Sequence, residues 1–106
     1  MSKMYILVRE IIVKQNRGIA INSVGHASLK CYLDYNDNPQ MKDWLFNSWK
    51  KVTCVVSDDE LLDAVECTKH HVNITESALD GNPLVGVAFV PMEEFPPIFK
   101  TFKLFN

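Results

Sequence analysis

Apolar positions along this chain fall into runs and periods that outline alternating strands and helices. Met4-Tyr5-Ile6-Leu7-Val8 is a continuous run of β-forming residues, the pattern of a strand buried on both faces. Glu10 breaks it, and the polar cluster Lys14-Gln15-Asn16-Arg17-Gly18 reads as a loop. From Ile19 the period changes, and Ile21, Val24, Ala27 and Cys31 recur at helical spacing. Ala20, Ser23, Gly25, Ala27 and Ser28 are small enough for this helix to lie close against a sheet. Close packing would explain Gly25, which lowers helix propensity by about 1 kcal/mol relative to alanine. The helix fades at Asn36-Asp37-Asn38-Pro39, a turn-rich cluster. Asn38 and Pro39 then suit the start of a second helix, running to about Trp49 with Trp44, Leu45 and Trp49 on its apolar side.

Val52-Thr53-Cys54-Val55-Val56 is the next strand, and Ser57-Asp58-Asp59-Glu60 is a capping box. Its acidic residues suit the positive end of the helix that follows. Leu61, Val65 and Thr68 mark one face of that helix, and His70 and His71 are expected to close it. Val72 to Thr75 forms a further strand, Asp80-Gly81-Asn82-Pro83 a turn, and Leu84 to Val90 another nearly all-apolar strand. Pro96-Pro97 interrupts the next helix start. Ile98, Phe99 and Phe102 fit one packed turn, and Lys103-Leu104-Phe105 an edge strand. The order predicts an α/β fold: a mixed four-stranded sheet with helices on both faces. Strand–helix–strand crossovers supply parallel neighbours, and a hairpin joins the third and fourth strands.

At 106 residues the chain is expected to form a single domain spanning positions 1–106. Its formal net charge of −2 gives no overall basic footprint for nucleic acid, leaving room only for a local patch. The cysteines number 3, with no CxxC pair. That favours a reducing compartment over a disulfide framework. No leader-like pattern and no apolar run long enough for a bilayer is present, so the expectation is a cytoplasmic protein without membrane contact. So short a chain buries a limited fraction of its surface, and homo-oligomer formation would bury more.

The element order, Arg9 after the first strand, the Gly18…His26-Ala27 spacing, Tyr32 and Pro39…Met41…Trp44 resemble the type-2 peptidyl-tRNA hydrolases. So do the acidic capping box, Asp80-Gly81, Gly86 and the closing Lys103-Leu104-Phe105. The resemblance spans nearly the whole chain and implies that fold. It also implies hydrolysis of the ester joining an acyl group to the tRNA 3′ end, without a cofactor. Two departures bear on activity. Family enzymes carry a lysine implicated in hydrolysis directly after the glycine, where this chain has Ile19. Their polar loop between the Asp-Gly step and the last strand is reduced here to Asn82-Pro83.

His26 and Asp80 are the candidate catalytic residues. His26 would serve as general base, or else be a helix histidine bonded to a neighbouring loop. Asp80 would be the family's acid, or simply part of a turn. Lys14, Arg17 and Gly18 form the candidate anion site, where a helix start could receive the tRNA 3′ end or another phosphate ligand. Lys14 and Arg17 replace the missing lysine only if their loop folds back. Cys67, His70 and His71 have the spacing of metal ligands on a helix. Lacking a partner cluster, they read instead as a capped helix end with a buried thiol, and no metal is expected. Phe95, Phe99, Phe102 and Phe105 suit a core or an exposed patch, and Trp44 and Trp49 carry the same ambiguity. The chain is therefore expected to be a divergent hydrolase-like domain with activity reduced or lost, or a non-catalytic module binding an anion or a protein.

Overall fold

A computed structural model describes residues 1–106. The elements run β1 (Met4–Arg9), α1 (Glu10–Gln15), α2 (Arg17–Asp34), α3 (Pro39–Asn47), β2 (Lys51–Val56), α4 (Asp58–Cys67), β3 (His71–Thr75) and β4 (Leu84–Phe89), then a 3-10 helix (Pro97–Thr101) and β5 (Lys103–Leu104). The sheet has five strands in the order β3-β4-β1-β2-β5, not four. The fifth is β5, at the edge strand expected for Lys103-Leu104-Phe105 but left out of the four, and its two residues pair antiparallel with Cys54 and Val55. β1 and β2 are parallel, while β4 is antiparallel to both β1 and β3. The expected β3–β4 hairpin is present, turning through Gly81 (φ 80°) and Asn82 (φ 48°) in the left-handed region.

β1 is central, and its alternation divides the core. Met4, Ile6 and Val8 point into one cluster with Ile12, Ala20, Ala27, Cys31, Met41 and Trp44. Tyr5 and Leu7 point into the other with Cys54, Leu61, Ala64, Phe89 and Phe99. Helices α1 to α3 thus cover one face, and α4 with the 3-10 helix covers the other. Phe95, Phe99 and Phe102 are core, as their spacing suggested, whereas Phe105 is half-buried against the opposite cluster.

Several local expectations are corrected. Lys14 to Gly18 is not a loop: Asn16 alone separates α1 from α2, and its side chain caps α2 by accepting from the Ile19 N–H. The buried face of α2 is Ala20, Ser23, Ala27 and Cys31, leaving Ile21 on an exposed flank. Small side chains bring this helix down onto the sheet, so bulkier Ile21 and Leu29 sit beside the contact. Gly25 has open space around its missing Cβ, and close packing does not explain it. α4 closes at Cys67, whose thiol is exposed rather than buried, and His71 belongs to β3. The capping box is complete, with Ser57 Oγ accepting from Glu60 N–H and Glu60 Oε1 from Ser57 N–H.

Candidate functional site

β1 delivers Arg9 to the end of the sheet where α1 and then α2 begin. The nominated residues lie around this junction. Lys14, on the exposed side of α1, places its ammonium 3.2 Å from Glu10, one turn back on the same helix. Arg17 opens α2 and turns toward the far edge of the sheet. Its guanidinium donates to the Asn106 carbonyl and lies 4.8 Å over the Phe105 ring. Gly18 follows at the start of α2, beside the Asn16 cap. That cap takes the Ile19 amide, one of the N–H groups an anion would otherwise meet.

Helix geometry separates the nominated cation from the nominated base. Arg17 and His26 are nine positions apart, which at about 100° per residue puts them on opposite sides of α2. Lys30 Nζ donates to the Asn73 carbonyl and Tyr35 Oη to the His71 carbonyl. α2 therefore runs antiparallel to β3 with its His26–Lys30 flank on that strand's side. Its start lies at the end of the sheet where β3 leaves into the Asp80 turn. Ile19 is seven positions before His26, two helical turns up the same flank. His26 thus lies on the flank of α2 toward β3, and Asp80 in the turn that follows that strand. Both are exposed, neither side chain bonds to the other or to a neighbouring loop, and no sizeable cleft encloses them.

A denser polar arrangement lies on the other face. Arg9 grips Asp58 with two parallel bonds, Nε to Oδ1 at 2.8 Å and Nη2 to Oδ2 at 3.1 Å, and reaches the Leu84 carbonyl with Nη1 at 2.8 Å. The hydrogen bond holds the Asp58 carboxyl below its usual range and raises Arg9 further. Its signal in the sequence is an arginine ending an apolar strand and an aspartate opening a capping box. The fork ties together the ends of β1, α4 and β4. Beside it runs a groove of about 510 Å³, walled by Leu61, Leu62, Val65, Leu84 and Val87 and edged by His71 and Asn73. His71 Nδ1 is buried there without a partner.

Nowhere do three His, Cys, Asp or Glu side chains gather as a metal site would need. No helix is long and apolar enough to cross a membrane. The family model described as Peptidyl-tRNA hydrolase PTH2 matches residues 2–105. No curated protein matches the chain.

Proposed function

The chain belongs to the Peptidyl-tRNA hydrolase PTH2 family, and from that premise we propose that it is a hydrolase-like domain whose ester-cleaving power is reduced or lost, so that it works by binding. What supports this reading above all is the direction of its cations. Lys14 stands beside Glu10, Arg17 points toward Asn106 and Phe105, and the flank shared with His26 carries Ile19 where a lysine would stand. Isoleucine offers neither a positive charge nor a donor to an oxyanion, the term that usually contributes most to acyl transfer. The exposed His26 could still take a proton from water. Without a stabilised oxyanion, that proton transfer leads to little turnover. On this reading Gly18 and the start of α2 keep only a weak anion contact, because Asn16 already caps the helix.

The test is hydrolysis of N-blocked aminoacyl-tRNA by the intact chain, expected to be no faster than the spontaneous reaction. Ile19→Lys places an ammonium on the His26 side of α2 and should raise the rate about tenfold or more. That gain is part of the 10²–10³ that one oxyanion donor typically contributes. Turnover by the unaltered protein that disappears in a well-folded His26→Ala variant would instead restore the hydrolase reading.

A further inference from the structure

The C-terminal half of α2 and the end of α3 face one another across a cleft of about 360 Å³. Leu29 and Tyr32 line the α2 side, Trp44, Leu45 and Trp49 the α3 side, and Lys51 enters from the start of β2. Trp44 is core, with its indole N–H bonded to the Lys50 carbonyl. Trp49 is different: 58% of its surface is open. Its backbone is left-handed (φ 63°) at the position after a helix end where glycine is the usual occupant. The two indoles lie 5.4 Å apart, and the Lys51 ammonium sits 5.4 Å from each ring centre. We propose that this cleft holds an unpaired nucleotide of a single-stranded nucleic acid, its base against the Trp49 indole and its phosphate at Lys51.

Charge selects this occupant. Lys51 has no carboxylate partner; the chain's ion pairs are Arg9–Asp58 and Lys14–Glu10. No acidic residue lines the cleft, and Lys50 stands exposed next to Lys51 in sequence. A nucleotide brings what the cleft lacks, a flat aromatic body and a negative charge. An aromatic platform beside lysines is the arrangement by which single strands are held without sequence readout. On α2 the cleft's Tyr32 lies six positions after His26, roughly 9 Å along the helix and about 120° around it, so the cleft neighbours His26 on a different flank. The proposal does not depend on whether the domain cleaves esters.

The test is fluorescence anisotropy of labelled hexaadenylate, as RNA and as DNA, titrated with the intact protein. Neither oligonucleotide carries an acyl ester, so the result is independent of the hydrolysis assay. Saturable binding of both, weakening as salt rises, is expected. Trp49→Gly suits the left-handed backbone and should weaken binding at least tenfold while the native spectrum is kept. Trp49→Phe, which keeps a ring, should remain within a few-fold of the parent. Lys51→Gln should weaken binding and lower the salt slope by about 0.7, one phosphate's share on a single strand. No binding, or binding indifferent to both Trp49→Gly and Lys51→Gln, overturns the proposal. So does a dimer in sedimentation that Trp49→Gly dissociates, since a second copy would then fill the cleft.

Discussion

Arg9 shows how one side chain can hold elements that are distant in sequence. Its fork joins Asp58 and the Leu84 carbonyl, bridging the end of β1 to the start of α4 and of β4. Because the folded Asp58 carboxyl sits below its unfolded value, the pair stabilises the fold above the unfolded pKa, about 3.9 for aspartate. That contribution is lost as pH falls through the lowered folded value. Asp58→Asn should therefore lower the melting temperature at pH 7. The gap between variant and parent should close as the pH is taken below about 4, as thermal melts across a pH series will show. The drop at pH 7 should be small, because the Asp58 side chain is 68% exposed and solvent screens the pair. Trp49 is the opposite case, an exposed ring on a backbone that bulky residues disfavour by about 1–2 kcal/mol.

Among the elements, α1 escapes a reading of the sequence because it is six residues long and has no helical period of its own. Ile11, Ile12 and Val13 are consecutive, and only Ile12 is buried. Its helicity depends on packing below the first turn of α2, which a local pattern does not contain. α4, by contrast, announces itself through a capping box that closes on itself within four residues. β4 carries a constraint visible only once strands are paired. A Cβ on Gly86 would lie 2.2 Å from the Leu7 carbonyl oxygen of β1, where neither backbone can yield without breaking the central ladder. On its other side β4 shifts register against β3 between Ile74 and Thr75. Gly86→Ala should destabilise the protein by about 3 kcal/mol or more, measured as a lower midpoint in urea unfolding. Retention of the parent midpoint would mean that β4 sits further from β1 than described.

For the whole molecule, the division of the core into two clusters decides which groups meet solvent. Cys31 and Cys54 lie in opposite clusters. Burial pushes their thiols up to about 12 and about 11, respectively, which suppresses the reactive thiolate at neutral pH. Cys67 is exposed at the end of α4. Iodoacetamide at pH 8 should therefore add one group to the native protein and three after denaturation, counted by intact mass. Native labelling at Cys31 or Cys54 would show that a sheet face opens. The same arrangement fixes which flank of α2 is free. That helix covers β1, β3 and β4, so the side toward β2 keeps Ile21, Leu29 and Tyr32 along a shallow margin that ends at Trp49.

Local patterns along the chain were enough to place the strands at Met4 and Val52, the capped helix after Ser57 and the hairpin at Asp80-Gly81. Each rests on interactions within a few residues: an apolar run, a side chain reaching its own helix start, or a backbone turn that glycine and asparagine permit. Ile19 was equally legible, because a missing charge needs no partner to be noticed. Tertiary structure alone decided the rest. It paired β5 with β2 and so made the sheet five-stranded. It turned Arg17 away from His26, because helix rotation fixes direction once the small face of α2 is buried. It also brought Leu29 and Tyr32 to Trp49, and Arg9 to Asp58. Those pairings depend on where the sheet sets each element, and no spacing along the chain encodes that distance.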